Sequence, residues 1–482
     1  MALTPLLVAL ARAPRMRPRR AFLLGLTTGV VAFAGTLYWL VETMTTFGGL
    51  ATPVAVFAAG LLVAYLALFP ALFAMLASRF RGRFGLLGLL FAPALWVTGE
   101  LGRQYVWDGF PWMLLGYSQL PVLPIAQLAS LIGVYGLSAL LALSATAVAH
   151  AIVARGRSRW MPAAGTLALI VAIALWGRAR LHESPLLSQG DPVRVAVLQG
   201  NVAQEEKWNP AMRGEIMDRY LTMTRQALAD HAAFVMWPES ATPLPFEQDI
   251  VAGAAIRRLA VESGATFLIG SDQVEPIAAS SATDKVRERS YNAAFLVRPN
   301  GGVGAVYRKM HLVPFGEYVP LQSLLFFAGP IIGAVGDFSP FTPGTDPVLL
   351  PVGSHLASTA ICYEVIYPNL IRRFVRDGSE LLTTITNDAW YGRSSAAYQH
   401  WDQASMRAIE EGRYLARAAN TGISGFVDPY GRAIAKTQLF EPAIVVRDIR
   451  FLKNRTIYSR IGDVVAWLSL ALVAAALAAT LR

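Results

Sequence analysis

A single cysteine, Cys362, stands among the 482 residues. That excludes an internal disulfide and leaves cysteine usage silent on compartment. The six histidines are scattered, and no pair has metal-ligand spacing, so the sequence makes no case for a metal centre. Charge is scarce as well. Only 15% of residues are Asp, Glu, Lys or Arg, against 54% hydrophobic, and the mean hydropathy is +0.43. That is too apolar for a soluble chain of this size, so membrane segments are expected. There is no internal repeat and no low-complexity linker. The net charge of +10 would suit a nucleic-acid partner, but its distribution argues for none. Three short runs, 12–20, 79–83 and 155–159, hold 11 arginines and no acid, more than the whole net charge. Basic residues confined to short loops between apolar runs are what membrane topology selects.

Apolar runs near the roughly 20 residues that a bilayer span needs fall at 21–41, 53–77, 84–102, 122–153, 161–177 and 461–481. Loops 42–52 and 104–121 carry no Lys or Arg, so Arg-rich and Arg-free loops alternate. The positive-inside rule then puts the Arg-rich loops in the cytoplasm and residues 178–460 on the outer face. Residues 1–11 are apolar but too short to span, and the arginines that follow are in the wrong order for a cleaved signal peptide. Loop 104–121 carries Trp107, Phe110, Pro111, Trp112 and Tyr117, either as an interfacial belt or as a segment shaping a lipid site. Glu100 and Arg103 at a span end read as an interfacial pair.

Residues 180–460 have a different character. Strand-like runs recur from 193–199 to 444–446, with helix-like stretches at 211–230, 249–263 and 405–419. The domain reading is therefore a membrane helix bundle over 1–179, an α/β domain over 180–460 and a last membrane helix over 461–482.

Three strand ends in the α/β segment carry chemistry-bearing side chains. Cys362 follows the alternating small-residue run 355–361, at a junction where free backbone N–H groups could form an oxyanion pocket. A lone cysteine is more often a small buried hydrophobe, so its company decides. Glu239, in Trp237-Pro238-Glu239-Ser240, stands where a buried strand meets a loop. Desolvation there should raise its pKa and let it take a thiol proton, though alone such a residue is more often a helix cap or a surface carboxylate. Lys309 could stabilise a thiolate and an oxyanion, or be a solvated strand-end lysine. Glu317, eight residues on, is a second carboxylate or polar loop surface. Strand ends of α/β sheets converge on the face where sites form, which favours reading the three together. Residues 321–335 are apolar between Gly and Pro punctuation, either core or a lid against the bilayer, and the segment from Ala389 through Trp401 could be a second such loop.

The stretches WPES, KxHLVPFGEYVP, ICYE and NDAWYG resemble the nitrilase superfamily. With apolar spans on both sides, TFGG at 46–49, GFPW at 109–112 and GYSQ at 116–119, nearly the whole chain resembles the bacterial apolipoprotein N-acyltransferase family. The resemblance implies a nitrilase-like α-β-β-α sandwich inserted in a polytopic helical membrane domain. It implies Cys362 as nucleophile, Glu239 as general base and Lys309 as third triad member. Glu317 matches a further essential carboxylate, Tyr363 and Glu364 the residues after the nucleophile, and Trp208 and Asn292 supporting positions; Trp390 lies in the NDAWYG stretch. The implied reaction moves a fatty acyl chain from a phospholipid, usually phosphatidylethanolamine, to the N-terminal amine of a diacylated lipoprotein. It places the chain in the bacterial inner membrane as a monomer, with the catalytic domain periplasmic, and calls for no cofactor. The family usually has eight spans, so two would precede 21–41, and residues 1–11 are at best a stub of the second.

The Glu-Lys-Cys set does not itself choose the acceptor. A membrane-tethered amidase or nitrilase would release ammonia or acid without lipid. A transporter or sensor with a ligand-binding outer domain would not need Cys362. Tethering to spans at both ends favours transfer from lipid.

Overall fold

The computed structural model describes residues 3–13, 16–107, 109–277, 287–318 and 340–481. The expected lid at 321–335 lies outside them. The chain forms two compact units, one of residues 1–46, 50–184 and 456–482, the other of 47–49 and 185–455.

In the first unit, Pro18–Thr36 and Trp39–Thr46 are helices bent by 53° at their junction, inside the expected span 21–41. Gly25 and Gly29 bring the first of them onto Thr52–Phe84. A Cβ at Gly25 would lie 2.3 Å from the Pro70 carbonyl oxygen, and one at Gly29 2.8 Å from Ala67 Cα. Small residues at such crossings let apolar helices associate where no hydrophobic drive acts between them. The helix Thr52–Phe84 runs on through Arg79, Arg81 and Arg83, past the expected end at 77. Gly85, at φ +63°, breaks it, and a 3₁₀ segment Gly85–Phe91 leads into the helix Ala92–Tyr105, so the expected span 84–102 is not one continuous helix. The chain reverses at this glycine. Phe91 meets Phe80, Trp96 meets Phe73, Gly102 meets Phe69, and the Tyr65 hydroxyl donates to the Val106 carbonyl.

Glu100 and Arg103 are both buried, and no salt bridge joins them among the described residues. Glu100 accepts from Trp96 Nε1 (3.0 Å) and the Leu115 N–H (2.7 Å). Arg103 donates to the Trp112 carbonyl and lies over the Phe33 ring. The expected interfacial pair is instead two separate anchors for the aromatic loop that follows. By length and composition, three helical stretches among the described residues could cross a membrane, or four if the bent pair counts as one; Thr52–Tyr105 is one of them, and Val464–Thr480 is apolar but shorter.

The second unit is built on two six-stranded sheets. The first has the order β12-β1-β2-β3-β4-β5, with β1 Asp191–Gln199, β2 Phe234–Met236, β3 Thr266–Ile277, β4 Arg287–Val297, β5 Val303–Arg308 and β12 Ala443–Phe451. The second has the order β11-β10-β9-β8-β7-β6, with β6 Leu350–Val352, β7 His355–Ile361, β8 Leu381–Thr386, β9 Leu415–Ala419, β10 Gly425–Val427 and β11 Ala433–Lys436. β8 and β9 are buried at every residue; β8 reads as an unbroken apolar or small-residue run, whereas β9 carries the buried Arg417. Helices Arg213–Ala229 and Ile250–Ser263 cover the first sheet through Ile216, Tyr220, Ile256 and Leu259 against Val235, Trp237, Phe267 and Phe295. Helices Pro368–Arg376 and Ser395–Glu411 belong to the second half. This is the expected α-β-β-α sandwich. β1 and β12 pair antiparallel from Asp191↔Phe451 to Gln199↔Ala443, so the first and last strands of the unit are neighbours.

The helix expected over 405–419 is a helix only to Glu411. Gly412, at φ +62°, caps it, and Leu-Ala-Arg-Ala-Ala then forms β9 between β8 and β10. Alanine-rich composition favours helix, but ladder pairing on both sides overrides it.

Candidate active site

Glu239 lies just beyond the end of β2. Ser240, at φ +43°, turns the chain sharply after it, and the Ser240 hydroxyl donates to Asp272 (3.0 Å). The neighbouring strand approaches so closely that a Cβ on Gly270 would lie 2.1 Å from the Pro238 carbonyl oxygen. Lys309 follows β5 directly, its N–H bonded to the Asn292 carbonyl on β4 (2.9 Å). Glu317 is carried by the next loop and accepts from the Val313 N–H (2.7 Å).

These side chains meet in one buried cluster. Lys309 Nζ lies 2.9 Å from Glu317 Oε1 and 3.3 Å from Glu239 Oε1. The Asn292 amide donates to the same two oxygens, at 2.8 and 2.7 Å. The Asn387 N–H, at the end of β8, donates to the other Glu239 oxygen (2.8 Å). Lys207 Nζ donates to the Glu239 carbonyl (3.2 Å), and burial pulls its ammonium down to about 8. Burial pushes the Glu239 carboxyl upward, but the Lys309 ammonium, the Asn292 amide, Lys207 and the Asn387 N–H together hold it below its ordinary value. The expectation that desolvation would raise it is therefore corrected: desolvation is present, and the donors outweigh it. Lys309 is held protonated by Glu317 and Glu239 against its own burial.

Cys362 follows β7 directly with φ +51°, in the left-handed region that a non-glycine residue rarely occupies. Its thiol is buried and pushed up to about 12, by burial first and then by the Glu239 charge, against the Lys309 ammonium. The resting group is thus the thiol. The expected thiolate stabilised by Lys309 is not the ground state, and a base is needed at the moment of attack.

Glu364 ties two strand ends together. Its Oε2 accepts from the Ile361 N–H (2.8 Å), and its Oε1 from the Tyr307 hydroxyl (2.8 Å) and the N–H groups of Met310 (2.7 Å) and His311 (3.1 Å). The residues on either side of Cys362 and Lys309 thus hang on one carboxyl, which burial pushes up to about 7. Glu364→Gln puts an amide against the Ile361 N–H and should cost roughly 1–3 kcal/mol. Because the folded state keeps this proton longer than the unfolded chain, the wild-type contribution falls as pH rises from about 4.5 to about 7. The melting-temperature deficit of Glu364→Gln should therefore shrink over that window; a constant deficit would show that Glu364 does not titrate there.

The other expected residues are placed less centrally. Tyr363 is buried and its hydroxyl accepts from that of Tyr367 (3.3 Å). Trp208 is half-exposed and touches the cluster through Lys207, whose ammonium lies 5.8 Å from its ring centroid. Trp390 is also partly exposed and meets the Phe47 ring edge-on. Sequence reasoning assigned no role to Asn387, Lys207, Asp388 or His400. Asn387 and Asp388 stood in a quoted motif; His400 had no local signal beyond the rarity of histidine.

Two sheets between helices, with Glu, Lys and Cys brought to their strand ends, define a carbon–nitrogen hydrolase fold of the nitrilase type. Two family models match the chain: the apolipoprotein N-acyltransferase N-terminal domain over residues 1–147, and carbon-nitrogen hydrolase over 194–454. The apolipoprotein N-acyltransferase of Geobacter metallireducens is 40% identical over 473 residues, 97% of this chain and 88% of its own. That of Methylococcus capsulatus is 34% identical, over 92% of this chain and 85% of its own. Among solved structures, an amidase of the nitrilase superfamily from Nesterenkonia aligns at TM-score 0.41 with 21% identity, over 57% of this chain and 95% of that one, a likeness too low to weigh here. The chain belongs to the apolipoprotein N-acyltransferase family.

Proposed function

We propose that this protein transfers a fatty acyl chain from a phospholipid to the N-terminal amine of a diacylglyceryl-cysteine lipoprotein, through a thioester on Cys362. Family membership supports the reaction class. The observation that carries the mechanism is the buried Glu239–Lys309–Glu317 cluster together with a left-handed, protonated Cys362 at an adjoining strand end. The phosphatidylethanolamine donor, the monomeric state and the periplasmic placement of residues 180–460 in a multi-pass inner-membrane protein belong to the same proposal. The alternating arginine loops support that placement.

In the first half-reaction the Cys362 sulfur adds to the ester carbonyl while Glu239 takes the thiol proton. Lys309 stays protonated and cannot be that base. A carboxylate held low cannot ionise a thiol near 12 beforehand, so proton loss and C–S bond formation proceed together. The Lys309 ammonium and the backbone N–H groups after Cys362 stabilise the oxyanion. Collapse breaks the C–O bond, and Glu239 passes the proton to the departing lyso-lipid oxygen. In the second half-reaction the lipoprotein amine attacks the thioester, Glu239 takes its proton, the C–N bond forms, and the C–S bond breaks with that proton returned to sulfur.

The test is intact-mass analysis of detergent-solubilised protein after incubation with phosphatidylethanolamine. A hydroxylamine-sensitive fatty-acyl adduct on Cys362, discharged by a diacylated lipopeptide with a free N-terminus, is expected. No adduct with well-dispersed lipid, combined with ammonia release from small amides, would replace this reading with the hydrolase.

A further inference from the structure

We propose that His400 is a positioning residue for the nucleophile. Through a chain of buried contacts it holds the Cys362 carbonyl, and with it the direction of the thiol. This rests on Cys362 being the nucleophile.

A left-handed φ at a residue with a Cβ is strained and persists only where the surroundings over-determine it. Two contacts fix this one. Glu364 holds the Ile361 N–H before Cys362. His400 Nε2 lies 3.0 Å from the Cys362 carbonyl oxygen. A carbonyl only accepts, so Nε2 carries the proton. Burial and the adjacent Arg417 guanidinium depress the imidazole pKa. Arg417 Nη2 meets His400 Nδ1 at 3.0 Å and also donates to Asp388 Oδ2 (2.9 Å). Asp388 Oδ1, itself 3.0 Å from His400 Nδ1, accepts from the Thr386 hydroxyl (2.8 Å).

Thr386, Asp388, His400 and Arg417 are all buried. Gly422 packs against the same carboxylate, where a Cβ would lie 2.2 Å from Asp388 Oδ2. The chain of contacts ends on Cys362 at its backbone oxygen. Rotation of the 361–363 peptides would swing the thiol relative to Glu239, and displacements of about 1 Å cost on the order of 100-fold in rate.

Two substitutions separate positioning from simple filling of the core. A glutamine amide nitrogen reaches the place of Nε2, whereas asparagine reaches only that of Nδ1. His400→Asn should slow acyl-enzyme formation roughly 100-fold at saturating phospholipid, with the apparent KM and the melting temperature near wild type. His400→Gln should recover most of that loss. Equal rates in the two variants, or a wild-type rate in His400→Asn, would overturn the assignment. A wild-type protein that forms no thioester sinks the acyl-enzyme reading instead. Alkylation of Cys362 by iodoacetamide in the same samples still decides His400: glutamine faster than asparagine sustains it, and no difference removes it.

Discussion

Cys362→Ser is expected to abolish acyl transfer while leaving the fold intact. Serine fills nearly the same volume and accepts the same left-handed backbone, so the melting temperature should not move. The hydroxyl, however, is a far weaker acid than a thiol, and the base beside it is a carboxylate held below its ordinary pKa. Glu239 is a weak acceptor, so the proton leaves only as the new bond forms, and a hydroxyl is a far poorer nucleophile than a thiol for that step. Losses of roughly 10⁴-fold or more are typical when a nucleophile is removed from such a set. Because Cys362 is the single cysteine, the variant also removes every thiol, and any remaining acyl adduct would have to be an ester resistant to mild hydroxylamine. Turnover at the wild-type rate would take Cys362 out of the chemistry altogether.

Lys309→Met is expected to cost nearly as much activity and to change how stability responds to pH. In the wild type the folded-state pKa of Glu239 is depressed, so its stabilisation is present above about 4.5 and is lost as pH falls through the folded value. Without the ammonium, Glu239 and Glu317 keep one shared amide donor, Asn292, and no cation at hydrogen-bond distance. Two close carboxylates in a buried site cannot both ionise cheaply. Glu239 should then hold its proton in the folded state, and stability should fall as pH rises towards neutrality, the opposite sign. Removing one partner of a buried ion pair costs about 3–5 kcal/mol, so the variant should also melt lower. Melting temperature against pH in detergent, paired with intact-mass detection of the acyl-enzyme, checks both parts. A pH response parallel to the wild type would mean that Lys309 does not set the charge of Glu239.

The residues that carry chemistry were legible because each sits at the end of a run that alternates or stays apolar, where the pattern itself marks a strand. What joins them was not. The Asn387 contact to Glu239 is a backbone N–H, which every non-proline residue offers. Burial of Glu239 could be read from Trp-Pro-Glu-Ser, but the sign of its pKa shift depends on donors from β4, β5 and β8, distant in sequence. β9 was hidden by alanines, whose helical preference says nothing about two flanking ladders. In the helical unit, the charge of Arg79 to Arg83 marks the end of an apolar run but not of the helix. Long arginine stems extend along a helix without breaking it, and the break falls instead at Gly85, where the backbone turns to a positive φ.

The pairing of β1 with β12 has a consequence for the helices on either side. Some 270 residues, 185–455, are inserted between the helix ending at Glu183 and the segment beginning at Thr456. An unfolded tether of that length would burden the joining of its flanking helices with the entropy of a long closed loop. With Asp191 opposite Phe451, the folded insertion brings its own ends together, and the helices experience a connection no longer than an ordinary turn. Scaling as (3/2)RT ln n, the difference between a loop of about 270 residues and one of about 10 is roughly 3 kcal/mol. Folding of the inserted unit thus lowers the assembly cost of the polypeptide that carries it. The same adjacency makes the insertion a cassette that could be excised and its boundaries rejoined with a short hairpin.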